Sequence, residues 1–364
     1  MSSPLLERLG LQVPVFQAPM AGVSSPEMAA AVSLAGGLGA VAVGAMTPAR
    51  AREEIRKTRA ACRGPLNVNV FAHRPADADA KKASAWCERL APEFAKVQAQ
   101  APVALREIYT SFLADDGMLA VLLEARPEVV SVHFGLPRPE QIDALRAAGI
   151  ALIATATNLD EARAIERAGF DAIVAQGYEA GGHRGLFDAD ADDARLGTFA
   201  LTRLLVSQTT LPVIAAGGLM DGAGIRAALA LGACAAQLGT AFIDTDESLA
   251  SDAYRARLRS DAAGHTVMTR AISGRPARCL ANDFTRLGAT IPDDAIPDYP
   301  VAYDAGKALD AAARAAGQSA YGAHWAGQGA PLARAMSTGA LMRTLIDELE
   351  THPHHAAGDT RRLR

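Results

Sequence analysis

The sequence lacks the charge surplus and the long apolar runs that mark several classes of protein. Its 364 residues include 36 lysines and arginines against 40 acidic residues, so it has no basic surplus for binding nucleic acid. No run of 18 uninterrupted apolar residues occurs, and the N-terminus has no basic segment followed by an apolar one. We therefore expect a soluble, cytoplasmic protein without a membrane span and with a small-molecule partner.

Cysteine is also scarce. The four cysteines, Cys62, Cys87, Cys234 and Cys279, are scattered and form no C-x-x-C pair, which argues against a structural zinc site and a disulfide framework. Three histidines, at positions 352, 354 and 355, lie in a polar C-terminal segment that we predict to be a solvated tail. We predict no metal site.

The common nucleotide-binding motifs are missing as well. No G-x-G-x-x-G opens a strand–helix unit, and no G-x-x-x-x-G-K-[ST] occurs. The sequence therefore predicts neither a Rossmann dinucleotide site nor a P-loop.

What the sequence does contain is a regular alternation of apolar runs with alanine-rich segments. These segments have apolar residues at helical spacing and often end in glycine. Near-continuous apolar strands joined by helices indicate a parallel sheet covered on both faces, and eight such units predict an α/β fold, a closed (β/α)₈ TIM barrel. An open, doubly wound sheet is the alternative. The predicted strands are 14–20, 38–44, 65–71, 129–135, 150–157, 171–177, 212–218 and 234–240.

Two stretches interrupt this alternation. Residues 74–114 form a charged, helical-looking insertion within a predicted barrel domain at 1–245, and 246–324 contain short helices and proline-rich connectors. We predict that 246–324 form a smaller, mainly helical cap or substrate domain over the barrel mouth. The periodic segment within 325–351 is predicted to return to the barrel as a C-terminal helix, before a flexible tail at 352–364.

Glycine marks the ends of several predicted strands, where a TIM barrel carries its active site. Gly217, Gly218 and Gly239 follow the last two strands, where backbone N–H groups can bind a phosphate. The sixth strand leads into QGYEAGGHRG, in which His183 stands among glycines. This composition indicates a loop shaped around a ligand, with the histidine beside that ligand.

A second pattern, DYPVAYDAGKALD, lies in the predicted cap. If a helix begins near Pro300, Tyr303 and Lys307 share one face and Tyr299 lies near the same edge. Two phenols and an ammonium on one side of a helix can bind an anion. The alternative is that the tyrosines pack the cap onto the barrel and that Lys307 is solvated.

The strand-end motifs QAPMAG, NVNVF, QGYEAGGHRG, AAGGL and QLGTAF, in this order, resemble those of the flavin-dependent nitronate monooxygenases of the bacterial class I type. The resemblance extends from about residue 12 to about residue 350. It implies a barrel that binds FMN without covalent attachment. The cofactor-binding residues that it implies are Met20, Ala21, Gly22, Asn69, Gln176, Gly181, Gly182, Gly217, Gly218, Gln237, Leu238, Gly239 and Thr240.

The resemblance also implies a catalytic residue and a substrate site. His183 would lie beside the reacting carbon, as a base for neutral nitroalkanes or as a polar contact for anionic nitronates. Tyr109 in the insertion would join Tyr299, Tyr303 and Lys307 in contacting the substrate. His133 is expected either to line the same pocket or to orient its neighbours.

The reaction that the resemblance implies is the oxidative denitrification of an alkyl nitronate, such as propionate 3-nitronate, by O₂. A flavin semiquinone would be the intermediate, and a carbonyl compound and nitrite would be the products. Two other functions stay open: a NADH:quinone or enoyl-thioester reductase of the same flavin-barrel superfamily, and a flavin-binding protein without turnover. We expect a monomer or a homodimer.

Overall fold

The computed structural model describes residues 3–77 and 79–351. Within these ranges, eight strands form one parallel sheet and three short strands form a second, antiparallel sheet. In chain order the strands are β1 (Val15–Gln17), β2 (Gly39–Ala42), β3 (Leu66–Phe71), β4 (Val129–His133), β5 (Ala151–Ala156), β6 (Ala172–Gln176), β7 (Gly182–His183), β8 (Val213–Ala216), β9 (Ala235–Leu238), β10 (Thr266–Thr269) and β11 (Ala277–Leu280).

The parallel sheet closes into a barrel. Its strands pair in the order β1-β9-β8-β6-β5-β4-β3-β2, and a parallel bridge between Phe16 and Leu38 joins β1 to the start of β2. Each of the eight strands predicted from the sequence contains one of these barrel strands, so the (β/α)₈ prediction is confirmed. The closed barrel rules out the open, doubly wound alternative.

Helices cover the outside of the barrel. Several begin at a residue whose side chain accepts a hydrogen bond from the first turn, such as Ser25, Asn158 and Asp221. Gly149 and Gly169 end two of them in the left-handed conformation, with φ of +80° and +76°. The α-helices of the described ranges are α1 (Pro4–Arg8), α2 (Pro26–Leu34), α3 (Pro48–Ala61), α4 (Ala80–Lys96), α5 (Asp116–Ala125), α6 (Pro139–Ala147), α7 (Leu159–Arg167), α8 (Thr198–Gln208), α9 (Gly222–Ala230), α10 (Asp252–Leu258), α11 (Asp283–Gly288), α12 (Val301–Ala315) and α13 (Thr338–Glu350).

Apolar side chains alternate between the inside and the outside of the barrel, because neighbouring residues of a strand face opposite sides. Phe16, Ile153 and Ile214 belong to a buried cluster that fills the barrel. Leu152 and Ile173 face the other way and pack against the surrounding helices. Among the described residues, these side chains therefore fill the barrel interior below its C-terminal rim.

The insertion packs against the region that the sequence predicts as a cap. Trp86 and Leu90 of α4 share a buried cluster with Phe284 of α11 and Leu309 of α12. The second sheet was not predicted: β10 pairs with β11, and β11 pairs with β7 from the glycine-rich loop. This region is thus not helical alone, and its sheet shares a strand with a barrel loop.

The C-terminal helix α13 lies on the barrel surface. Leu341 and Met342 share a buried cluster with Met28 of α2 and Ile225 of α9. Residues 352–364, which include the three predicted tail histidines, lie outside the described residues. Among the helices of the described ranges, none combines the length and the apolar character needed to cross a membrane.

Candidate active site

A cavity of about 390 Å³ opens at the C-terminal rim of the barrel. This volume is within the roughly 300–1,000 Å³ typical of ligand pockets. All but one of the predicted site residues line it: Met20, Ala21, Gly22, Asn69, Tyr109, His133, Gln176, Gly181, Gly182, His183, Gly217, Gly218, Gln237, Gly239, Thr240, Tyr299, Tyr303 and Lys307. The structure thus brings together residues that are up to 287 positions apart in the sequence, from Met20 to Lys307.

Leu238 is the exception. Its side chain is buried in the cluster between the barrel and its outer helices, together with Val15 and Phe242. Gln237 precedes it on β9 and therefore faces the barrel interior. The side chain of Leu238 is directed away from the cavity, and a cofactor contact through its backbone stays a prediction.

The glycine-rich loop after β6 is held by the amide of Gln176. Its Oε1 accepts a hydrogen bond from the Gly185 N–H at 2.7 Å, and its Nε2 donates to the His183 carbonyl at 2.9 Å. On the other side, Gly182 and His183 form β7 and pair with Arg278 and Ala277 of β11. His183 is therefore fixed from the barrel and from the second sheet at once.

A buried arginine, which sequence reasoning missed, supports this loop from below. The guanidinium of Arg184 forms two hydrogen bonds to the Asp193 carboxylate, at 2.8 and 3.0 Å, and also donates to the Gln176 carbonyl. Arg184 is only 2% exposed, and a buried charge of this kind needs such a partner. The one signal in the sequence is that an acidic segment containing Asp193 follows the glycine-rich loop directly.

The ring of His183 lies among polar and aromatic neighbours. Its Nε2 is 2.9 Å from the hydroxyl of Ser273, and its centroid is 5.4 Å from the ring of Tyr299 and 5.1 Å from that of Trp325. Burial, reinforced by the nearby His133, Arg275 and His73, lowers the pKa of His183 to about 3. The ring is therefore neutral near pH 7. Ser273 and Trp325 were not predicted, because neither stands in a recognisable motif.

His133, at the end of β4, uses both ring nitrogens. Its Nδ1 is 3.0 Å from the Thr155 hydroxyl and its Nε2 is 3.2 Å from the His183 carbonyl. A carbonyl only accepts, so Nε2 carries the proton and the Thr155 hydroxyl donates to Nδ1. Burial lowers the pKa of His133 to about 4, which keeps this ring neutral. His133 thus lines the cavity and also orients the loop, which combines the two alternatives derived from the sequence.

Three tyrosines and a lysine line the cavity beside His183. The Tyr109 ring lies 6.2 Å from Tyr299 and 6.0 Å from Tyr303, and the Lys307 Nζ lies 5.4 and 5.2 Å from the rings of Tyr109 and Tyr303. Helix α12 begins at Val301, with Pro300 as its N-cap, which is one residue later than the sequence suggests. Burial raises the pKa of Tyr109 and Tyr303 above the usual range, so both phenols stay protonated and can donate hydrogen bonds.

The strand ends β8 and β9 supply free backbone donors. Gly217 and Gly218 have φ of +122° and +70°, and the N–H groups of Gly218 and Gly239 find no acceptor among the described residues. A Cβ on Gly239 would lie 3.3 Å from the Ala18 Cβ and 3.6 Å from the Met20 Sδ, within the space that a ligand would use. These two loops therefore offer a small, donor-rich recess suited to an anionic group.

Two amide side chains with spare hydrogen-bonding capacity, Asn69 and Gln237, also line the cavity. Asn69 Nδ2 donates to the carbonyl and the hydroxyl of Ser131 at 3.1 and 3.0 Å, which leaves Oδ1 without a partner among the described residues. No hydrogen bond occupies the Gln237 amide within the same ranges. These amide groups can form hydrogen bonds with a planar heterocycle that has its own donors and acceptors.

Comparison with known proteins assigns a family to this barrel. The family model described as nitronate monooxygenase matches residues 2–348. A protein named nitronate monooxygenase from Paraburkholderia phytofirmans is 59% identical over 346 residues, which cover 95% of this chain and 94% of the relative. Another, from Pseudomonas aeruginosa, is 51% identical over 341 residues, which cover 94% of this chain and 97% of the relative.

Two solved structures share this fold over nearly the whole chain. A nitroalkane oxidase from Streptomyces ansochromogenes superposes with a TM-score of 0.87 at 41% identity, covering 95% of this chain and 98% of its own. FabK from Thermotoga maritima superposes with a TM-score of 0.72 at 28% identity, covering 96% of each chain. Because the family model spans nearly the whole chain and two relatives exceed half identity, the chain belongs to the nitronate monooxygenase family and is an oxidoreductase.

Proposed function

We propose that the protein oxidises alkyl nitronates, such as propionate 3-nitronate, with O₂ and bound FMN, and releases a carbonyl compound and nitrite. The observation that carries this proposal is the arrangement of one cavity. A donor-rich recess at β8 and β9, an ammonium with phenols, and the neutral His183 all line the same cavity. Such a cavity suits an anionic cofactor and an anionic substrate side by side.

The residues present fit a flavin mononucleotide. The N–H groups of Gly218 and Gly239 would hold the phosphate, and Asn69 Oδ1 and the Gln237 amide would face the ring system. The absence of side-chain atoms at both glycines leaves room for the phosphate oxygens. When bound, FMN supplies the electron acceptor for the organic substrate, whereas the protein supplies binding, orientation and the electrostatic environment.

The wall formed by Tyr109, Tyr299, Tyr303 and Lys307 would bind the substrate anion. The phenols remain protonated and so can donate hydrogen bonds to nitronate or carboxylate oxygens. Lys307 is exposed at the cavity edge, where its charge attracts anions while water still screens it. The packing role that the sequence left open for the tyrosines is compatible with this one, because the Tyr109 ring packs at a tilt on Tyr299 and edge-on to Tyr303 while all three residues line the cavity.

His183 would contact the reacting end of the substrate. Its ring is neutral, is braced by Ser273, and is held in place through its own carbonyl by Gln176 and His133. A neutral imidazole has a nitrogen lone pair that can accept a proton from a carbon acid.

The test uses the protein with its copurified flavin. In air, propionate 3-nitronate should give nitrite with turnover on the order of 10 s⁻¹ or faster, a typical enzyme rate. Mixed anaerobically, the nitronate should bleach the flavin absorbance rapidly, and NADH should not. Rapid bleaching by NADH with no nitrite from any nitronate would favour the reductase alternative. Bound flavin without turnover would favour the non-catalytic one.

A further inference from the structure

The hydroxyl of Ser273 is the only polar group among the described residues that touches the ring nitrogens of His183, and it comes from the segment between β10 and β11. We infer that Ser273 is a positioning residue that fixes the proton of His183 on Nε2 and leaves Nδ1 as a hydrogen-bond acceptor facing the cavity. This inference deepens the proposed function. Its consequence for substrate binding rests on that proposed function.

The Ser273 hydroxyl has one proton and two possible acceptors, His183 Nε2 and the Arg275 carbonyl. Ser273 Oγ lies 2.9 Å from His183 Nε2 and 3.3 Å from the carbonyl oxygen of Arg275. The carbonyl can only accept, and Ser273 is its sole donor among the described residues. If Ser273 donates to that carbonyl, its oxygen is free to accept a hydrogen bond from His183 Nε2–H. Every donor and acceptor of the three groups is then used.

The reverse assignment leaves a group unpaired. If the Ser273 proton pointed at Nε2, the Arg275 carbonyl would lose its only donor. Arg275 is 5% exposed and Ser273 is fully buried, so water cannot easily replace that donor. Buried carbonyls without a partner are rare because they are costly. The local hydrogen bonding thus selects the Nε2–H form.

The rest of the site keeps the ring from changing its position. The His183 backbone is held through its carbonyl by Gln176 and His133, and the ring is packed edge-on to Tyr299. Nδ1 has no hydrogen-bond partner among the described residues and belongs to a residue that lines the cavity. In a neutral imidazole with Nε2 protonated, Nδ1 carries the lone pair.

The consequence concerns how His183 contacts a nitronate. With Nε2 protonated, Nδ1 presents a lone pair, which cannot donate a hydrogen bond to a nitronate oxygen. The hydrogen bonds to the nitronate would then come from the phenols, and removing the Ser273 hydroxyl should let the Nδ1–H form of His183 donate one.

The test reads the tautomer directly. Protein with ¹⁵N-labelled histidine, kept with its copurified flavin, is studied by NMR at neutral pH, and the His183 signals are assigned by their loss in His183→Asn. We expect the wild type to show the Nε2–H form, Ser273→Ala to show a mixture of both tautomers, and Ser273→Thr to restore the wild-type form. Ser33→Ala, which removes another buried hydroxyl far from the cavity, is the matched control and should leave the signals unchanged.

Activity provides a second measurement. The KM for propionate 3-nitronate should fall roughly two- to tenfold in Ser273→Ala, as expected for one additional hydrogen bond from the Nδ1–H form of His183. A wild-type His183 protonated at Nδ1, or a tautomer that Ser273→Ala does not alter, would overturn the inference. The two proposals fail separately: if no nitronate yields nitrite, the proposed function is lost, whereas the tautomer result still decides the role of Ser273.

Discussion

Replacing Lys307 with methionine isolates the charge that we assign to substrate binding. Methionine keeps most of the length and apolar character of the side chain, so the packing against Tyr109 and Tyr303 is largely retained. We expect a higher KM for propionate 3-nitronate, which bears a carboxylate and a nitronate, and a smaller increase for simple alkyl nitronates. The flavin content should not change, because Lys307 is not among the residues proposed to hold FMN.

The magnitude follows from distance and exposure. Two unit charges 4 Å apart interact by about 1 kcal/mol in bulk water and by about 4 kcal/mol at the effective dielectric near a protein surface. The Lys307 Nζ lies just over 5 Å from both tyrosine ring centres, and the residue is exposed, so solvent reduces the interaction toward the lower figure. A loss of about 1–1.5 kcal/mol corresponds to a roughly five- to twelvefold increase in KM.

The assay is steady-state nitrite release at two ionic strengths. The difference between wild type and Lys307→Met should shrink at high salt, because salt screens exposed charges. Lys57→Met on α3 is the matched control, since it removes one exposed positive charge on the outer surface. Equal KM values for wild type and Lys307→Met with both kinds of nitronate would refute the reasoning and return Lys307 to the solvated surface.

Three further predictions concern the cofactor recess, the histidine and acid stability. Gly239→Val should lower the FMN bound per protein, measured by visible absorbance, because the new side chain would enter the recess. The backbone φ of −113° at this position suits any residue, so strain is not the cause. The control Gly264→Val, where no atom lies within 4 Å of an added Cβ, should retain full occupancy. His183→Asn should lose roughly 10²–10⁴-fold on neutral nitroalkanes but far less on nitronates; equal losses would indicate positioning, and a wild type inert toward neutral nitroalkanes would assign His183 to the anion. Burial lowers the pKa of His73 to about 4. Between pH 4 and about 6.5 the unfolded state therefore binds more protons than the folded state. The free energy of unfolding, measured by urea denaturation, should thus fall as the pH falls through this range. His73→Gln should weaken that dependence, and an unchanged pH slope would contradict the assignment.

The barrel could be predicted because its strands are buried on both faces. Strands such as Ala151–Ala156 and Val213–Ala216 are almost entirely apolar, and several of the helices have clear N-caps. The residues that line the cavity could also be located, since the ends of parallel strands always meet at one rim. Once the strands were known, many of the residues that line the cavity could be placed there because they lie at strand ends.

The second sheet and its contribution to the site could not be predicted. Strand β7 has only two residues, which is too short for any periodicity, and its partner β11 lies more than 90 residues later. Ser273 has no local signal, because its importance comes from a contact with His183 across that same distance. Arg184 was missed for a related reason: a charged residue in a polar loop looks solvated until the fold buries it.

The pairing of β7 with β11 makes the position of the histidine depend on two parts of the chain. His183 pairs with Ala277 of β11, and its carbonyl accepts a hydrogen bond from Gln176 at the end of β6. A substitution that displaced β11 would therefore shift His183 even if it left the barrel intact, so residues far from the cavity in sequence can control its geometry.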